Sequence, residues 1–379
     1  MKNIGVVFGG VNVEHDISII TAMQVMQALN KEEFCIVPIY ISKDGTWETG
    51  DNLLDIKSFK SEQKNKEILL SLKDNWLYFK RIGGYRKWKQ IDFVFICMHG
   101  KNGEDGAIAS LLELNNIPYA NSSILGSAVG CDKVLFKEMM KALKIPAIKS
   151  LSFNIIEFKE DEKRVINKIS NYFKFPIILK PSNLGSSIGI EVCKNQSELE
   201  EKLIAVFSFD NRVLIEEYLE GCREVNVAIF KSKEKLIVSE LEEPLKGDVI
   251  LSFDNKYNSK ADKGMQTLNR IMPAQISLGQ KRTIISYAKR IYNALNLFGI
   301  CRFDFILDAS GKVLVNEVNT IPGSYAFYLF KPKKIDFEKL LQLQIEEGIL
   351  RNVKKSNLIS TFKSDILSGF EFGSKAGKI

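Results

Sequence analysis

Apolar residues run almost unbroken from Asn3 to Phe8 and stop at Gly9-Gly10, after which Ile17, Ile20, Met23, Val25, Met26 and Leu29 recur at helical spacing. The pattern predicts a strand, a glycine turn and a helix. Phe34 to Ile41 reads as a second strand turning at Lys43-Asp44-Gly45, and residues 50 to 90 are polar, weakly periodic and read as peripheral elaboration. Ile91 to Met98 is a buried strand that ends at His99-Gly100, and Ile108, Leu111, Leu112 and Leu114 follow on a helix. The first 120 residues therefore predict one open α/β domain.

A change of character follows near Asn121. Helices are predicted around Lys133 to Leu143 and up to Tyr172, with a strand near Ala147 to Phe153. Phe175 to Lys180 and Ile190 to Cys193 form a hairpin whose tip, Pro181 to Gly189, is unusually rich in glycine and serine. Beyond the helix Glu198 to Phe207, strands are expected at Val213 to Tyr218, Glu224 to Phe230 and Lys235 to Leu241. A polar loop runs from Lys246 to Arg270, and a helix from Leu278 to Leu297. Arg302 to Leu307 and Lys312 to Val318 then pair across Asp308-Ala309-Ser310-Gly311, so the second half is α+β.

Length and composition leave room for two or three globular domains: 379 residues, 45% hydrophobic and 26% charged. The net charge is +7, of which residues 351–379 carry +4, leaving a nearly neutral body without basic blocks. That excludes nucleic acid as the default partner. No apolar run reaches the roughly 18 residues of a membrane helix, and the first apolar stretch is too short for a signal segment, so a cytoplasmic protein without a membrane partner is expected. The six cysteines are far apart and read as free, mostly buried thiols. With His15 and His99 the only histidines, a catalytic metal must be held mainly by carboxylates.

Three segments carry candidate chemistry. Asp304 lies on one strand of the last hairpin and Glu317 and Asn319 on the other, two apart and so on one face. Such an oxygen set suits magnesium shared with substrate phosphates, although a solvated strand face would show the same pattern. Lys180 precedes the Pro181–Gly189 tip, whose small residues would let backbone amides close over phosphate; a plain flexible tip is the alternative. The strand-end loops holding His15 and His99 fall where open α/β sheets place ligands, which favours a site shared by both.

In order and spacing, FGGVNVEHDIS, HGKNGEDG, KPSNLGSSIG, LIEEYLEG, CRFDF and NEVNTIPG resemble the D-alanine–D-alanine ligase family of the ATP-grasp superfamily, from about residue 3 to 350. The resemblance implies an N-terminal substrate-binding α/β (pre-ATP-grasp) domain over residues 1–121. An ATP-grasp fold of two α+β subdomains would follow, central at 122–219 and catalytic at 220–350, with a basic tail over 351–379. It implies ATP-dependent joining of two D-alanines through an acyl phosphate, for peptidoglycan precursors, in a cytoplasmic homodimer with small-molecule substrates. Two magnesium ions, with manganese as a substitute, would sit on Asp304, Glu317 and Asn319.

By the same resemblance Lys133, Lys180, Gly185 and Ser187 would contact ATP phosphates, Glu216, Glu217 and Leu219 would meet adenine, and Glu224 the ribose. Glu14 would bind the first ammonium, His99 would lie near the substrates, and Arg302 with the amide of Gly323 would face the oxyanion. A lid over Phe253 to Gly264, with Lys256 and Tyr257 and with Ser186 as its partner, would exclude water. The chain departs from the family after Gly323: Tyr328 stands where a serine near the second substrate's carboxylate is expected, and its bulk must alter that pocket. Asn12 also stands where a serine is common. A related ligase with another second substrate, an amino acid or hydroxy acid, and a nucleotide-binding pseudoenzyme are the alternative readings.

Overall fold

The computed structural model describes residues 1–60, 65–71, 75–245 and 270–366. Its first strand β1 (Lys2–Gly9), helix α1 (His15–Ala28) and strand β2 (Phe34–Ile41) realise the predicted unit, with β1 parallel to β2. The turn between β1 and α1 needs glycine. Gly9 and Gly10 both take positive φ, and a Cβ on Gly9 would stand 2.2 Å from the Ile41 carbonyl oxygen.

The stretch expected as peripheral elaboration adds strands to this sheet. β3 (Trp47–Thr49), β4 (Lys66–Leu70), β5 (Trp76–Arg81) and β6 (Gly84–Gln90) pair antiparallel outward from β2, and β7 (Phe93–Ile96) lies parallel on the other side of β1. Seven strands thus run in the order β6-β5-β4-β3-β2-β1-β7. These outer strands are hard to read because they bury little: β6 has no buried residue, so no alternation marks it. Helix α2 (Ala107–Leu114) follows β7.

Helices α3 (Ile124–Cys131) and α4 (Lys133–Ala142) lead to the second unit. Asp132 caps α4 by accepting from the amides of Val134 and Leu135, a contribution of about 1 kcal/mol, and also accepts from the Ser182 hydroxyl at 2.7 Å. That one carboxylate ties the start of α4 to the glycine-rich loop. The unit continues through β8 (Ser150–Asn154), α5 (Ile155–Glu160), α6 (Glu162–Tyr172), β9 (Ile177–Pro181), β10 (Glu191–Cys193), α7 (Leu199–Phe207) and β11 (Arg212–Glu217). Its antiparallel sheet has the order β10-β9-β11-β8. Leu179, Val213 and Ile215 on the sheet meet Val165, Ile169 and Leu203 from the helices in one core.

A third unit places β12 (Arg223–Ser232) between β13 (Lys235–Val238) and β16 (Cys301–Leu307), with β17 (Val313–Asn319) outermost. A two-residue pair, β14 (Glu243–Pro244) with β15 (Arg270–Ile271), lies beside it. Helix α8 (Leu278–Ala294) covers this sheet with Ile284, Ala288 and Ile291. The three-unit architecture is the predicted α/β domain followed by two α+β units.

The chain then returns to its beginning. A 3-10 segment, Gly323–Lys333, contains three successive residues with positive φ, Ser324, Tyr325 and Ala326. Tyr325 anchors the bend by donating its hydroxyl to the Ile96 carbonyl at 2.8 Å. Helix α9 (Phe337–Ser356) follows, and its Leu340, Leu341 and Ile345 share a core with Ile4, Val25 and Met26 of the N-terminal domain. It passes position 350: Arg351 donates to the carbonyls of Asn121 and Tyr119 at 2.8 and 3.1 Å. All six cysteines are free, with Cys97, Cys193 and Cys301 buried. No helix among the described residues is long and apolar enough to cross a membrane.

Candidate active site

A cavity of about 410 Å³ opens where the N-terminal domain meets the two antiparallel sheets. Its first cluster is cationic. Lys180 on β9 reaches Glu216 on the neighbouring β11 at 2.5 Å, and Lys137, one turn beyond Lys133 on α4, reaches the other oxygen at 2.6 Å. Glu216 is wholly buried between the two ammonium groups and does not line the cavity. Burial, the largest influence, pushes its pKa up, but the two lysines outweigh it and hold the carboxyl down at about 2. For Lys180 burial opposes the charge and Glu216 prevails, raising its pKa; for the more deeply buried Lys137 burial wins and lowers it.

Over this cluster lies the glycine-rich loop. Ser186 and Ser187 both adopt positive φ and, with Leu184 and Gly185, line the cavity wall. Lys133 donates to the Leu184 carbonyl at 2.5 Å and stands 3.8 Å from Glu317. The Ser186 hydroxyl donates to Glu14 across the cavity, and a Cβ on Gly185 would lie only 3.0 Å from the Glu14 carboxylate. The loop therefore closes onto the N-terminal domain. Beside it Glu217, Tyr218, Leu219 and Glu224 line the wall, with apolar faces from Ile148, Ile178 and Ile306.

The oxygen-rich cluster sits on the last hairpin. Asp304 pairs with Glu317, and Arg302 with Asn319, in register across β16 and β17. Arg302 grips Asp304 with a fork, Nε to Oδ1 at 2.7 Å and Nη2 to Oδ2 at 2.8 Å, and the Asn319 amide donates to Oδ2 at 2.9 Å. Burial works against the Arg302 charge, and Asp304 more than offsets it, so the guanidinium stays cationic. Among the described residues no group of three or more His, Cys, Asp or Glu is arranged to hold a metal ion. The candidate donor set is two carboxylates and an amide.

At the N-terminal wall, burial is the main reason the Glu14 carboxyl has a raised pKa, and the neighbouring Glu104 raises it further. His99 is buried, with Nε2 2.8 Å from the Thr21 hydroxyl and Nδ1 3.5 Å from Glu104. Gly323 and Tyr328 close the far side. The Tyr328 hydroxyl donates to Glu242 at 2.8 Å, while Arg270 lies over the Tyr328 ring at 4.1 Å and meets Glu242 at 3.0 Å.

The cavity thus gathers Glu14, His99, Lys133, Lys180, Gly185, Ser186, Ser187, Glu217, Leu219, Glu224, Arg302, Asp304, Glu317, Asn319, Gly323 and Tyr328. The two histidines do not share it. His15 is buried with Nδ1 2.7 Å from the Gly10 carbonyl and Nε2 3.1 Å from the Tyr40 hydroxyl, holding the first turn. Lys256, Tyr257 and the loop around them lie outside the described residues. Sequence reading missed Lys137, Glu104, Glu242 and Arg270. The i, i+4 spacing of Lys133 and Lys137 was a usable signal for the first, and Glu104 stood inside a quoted motif. Glu242 and Arg270 flank a polar stretch of sequence that lies outside the described residues, and they carry no periodic signal.

Family models described as D-ala D-ala ligase N-terminus and D-ala D-ala ligase C-terminus match residues 3–122 and 139–346. The chain is 38% identical to a D-alanine--D-alanine ligase of Thermosipho africanus over 350 residues, 91% of this chain and 92% of that protein. Its fold is similar to the D-alanine-D-alanine ligase of Coxiella burnetii, with TM-score 0.79, 25% identity and coverage of 94% and 97%. It is also similar to the VanG D-Ala:D-Ser ligase of Enterococcus faecalis, with TM-score 0.77, 27% identity and coverage of 92% and 99%.

Proposed function

Since the chain belongs to the D-alanine–D-alanine ligase family, we propose that it spends ATP to join two D-alanines into D-alanyl-D-alanine for peptidoglycan precursor synthesis. The observation that carries this reading is a single cavity in which a two-lysine phosphate seat, a carboxylate-amide oxygen set and a buried acidic group face one another.

The roles follow from the chemistry of each group. An ionised carboxylate resists attack by an amine, whereas an acyl phosphate does not, so the first D-alanine must be phosphorylated. Lys133, Lys180 and the amides around Ser187 hold the phosphates, with Glu217 and Leu219 beside adenine, Glu224 toward the ribose and the apolar wall against the base. The side chain of Glu216 acts on ATP only through Lys180. Glu14 receives the first ammonium, a cation that would offset the burial and the Glu104 charge that raise its pKa. Arg302 and the Gly323 amide border the space where the tetrahedral oxyanion forms. Ser186 on Glu14 holds the glycine-rich loop down and keeps water from the acyl phosphate.

Asp304, Glu317 and Asn319 fit magnesium, because they offer hard oxygen donors from the paired strands β16 and β17 and line the cavity, where water and phosphate would supply the remaining ligands. Two such ions, or manganese in their place, would neutralise phosphate charge there. A homodimer in the cytoplasm, working on small molecules alone, belongs to the same proposal. A different acceptor, D-serine or a hydroxy acid, is the second reading, favoured by Tyr328 and its partners Glu242 and Arg270.

Phosphate release from ATP, measured with magnesium and single or paired amino acids and with product mass read alongside, tests the proposal. D-alanine should elicit release and a D-alanyl-D-alanine mass. Silence with D-alanine and release with another pair would replace the acceptor, and silence with every pair would refute ligation.

A further inference from the structure

An amino acid entering a buried cavity as nucleophile can shed its ammonium proton, but its carboxylate remains charged and must meet a cation. Among the described residues the cavity wall holds four: Lys133, Lys180, Arg270 and Arg302. The two lysines belong to the phosphate seat, under the glycine-rich loop and against Glu216 and Glu317. Arg302 has its fork on Asp304. Arg270 is the cation on the opposite flank, mostly buried, lying over the Tyr328 ring at 4.1 Å and tied through Nη1 to Glu242 at 3.0 Å.

Tyr328 is therefore a platform. Its hydroxyl proton is committed to Glu242 at 2.8 Å, so it offers a substrate carboxylate no proton. Glu242 is itself buried and is further approached by the Asn226 amide at 3.4 Å. The ring contact and the ion pair to Glu242 hold the guanidinium in place, and a planar fork is the group best matched to a carboxylate.

We propose that Arg270 receives the carboxylate of the second amino acid, and that Tyr328 and Glu242 are positioning residues that set where this carboxylate, and hence the attacking amine, comes to rest. The inference rests on the ligase reading and names the residue that selects its acceptor. It also makes the tyrosine and the arginine a matched pair: a small residue at 328 would leave Arg270 without its platform.

The test sets two acceptors in competition, D-alanine and D-alaninamide, whose carboxylate is masked, and reads both products by mass with D-alanine as donor. Wild-type protein should favour D-alanine. Arg270→Met should lower kcat/KM for D-alanine as acceptor roughly 10- to 100-fold and collapse the preference, because a charge-assisted hydrogen bond is lost only with the carboxylate-bearing acceptor. Arg270→Lys should keep part of the preference. Should Arg270→Met melt early, Tyr328→Phe serves instead: it keeps the ring and loses the bond to Glu242, and should raise the acceptor KM several-fold without changing the donor KM. An unchanged preference in Arg270→Met, or an unchanged acceptor KM in a folded Tyr328→Phe, overturns the proposal. Oxygen-18 scrambling within ATP in wild-type protein with D-alanine reports acyl phosphate formation independently. If neither scrambling nor product is seen there, the ligase reading fails; if both are normal and the variants keep their preference, the inference about Arg270 alone fails.

Discussion

Replacing Lys137 with methionine removes one of the two ammonium groups that bracket Glu216, while the methionine side chain refills most of the lysine stem. Lys137 and Glu216 are both buried, and the contact is 2.6 Å, so water cannot replace the lost charge. Glu216 is held at about 2 against an ordinary value of 4.5, a net stabilisation of about 3 kcal/mol by which the two lysines together exceed the cost of its burial. Breaking one side of a buried ion pair costs about 3 to 5 kcal/mol, which agrees in scale. For a chain of this size the melting temperature at pH 7 should fall by roughly 4–6 °C.

The pH dependence has a definite sign. Because the folded pKa of Glu216 lies below its unfolded value, its contribution is complete above 4.5 and disappears as pH falls toward 2. The gap between wild type and Lys137→Met should therefore be widest at neutral pH and shrink on acidification. ATP binding reports the same change: with Lys137 gone, Lys180 is left as the sole counter-charge of Glu216, and the KM for ATP should rise roughly tenfold. Differential scanning fluorimetry from about pH 2.5 to 8 and steady-state kinetics at neutral pH read both. A melting temperature within about 1 °C of wild type at pH 7 with an unchanged KM for ATP would refute the reasoning.

Glu317→Gln should abolish turnover while leaving melting nearly unchanged, since the side chain is partly open to solvent, and full activity in that variant would remove the metal assignment. Glu14 must be ionised to hold an ammonium, and its raised pKa should make the KM for the first D-alanine climb on the acid side earlier than an ordinary carboxylate would; Glu104→Gln should move that limb to lower pH, and a limb that stays in place would contradict the coupling. Gly185→Ala puts a methyl group about 3.0 Å from the Glu14 carboxylate and should hold the loop off, so that phosphate release exceeds dipeptide formation; a 1:1 ratio would show that loop closure does not protect the intermediate.

Much of this site was legible before any coordinates. Gly9-Gly10 announced the turn after β1, and period-two spacing put Glu317 and Asn319 on one face opposite Asp304. The glycine-rich tip lay between two strands that do pair as a hairpin. What failed was also local in origin: β4 to β6 bury too little to show a pattern, and His15, expected in a strand-end loop, opens α1 and holds the turn before it.

The sequence by itself determined most of the elements outside residues 50–90, their order and the family to which the cavity belongs, because turns, caps and strand faces depend on neighbours a few residues apart. Only the tertiary structure decided which charges are spent on one another. Glu216 is claimed by Lys137 from 79 positions away, Tyr328 by Glu242 from 86, and Tyr325 is anchored to Ile96 across 229. Such pairings are selected by the cost of leaving a buried charge or polar group alone in a medium of low dielectric, and that cost arises only when packing brings the partners together.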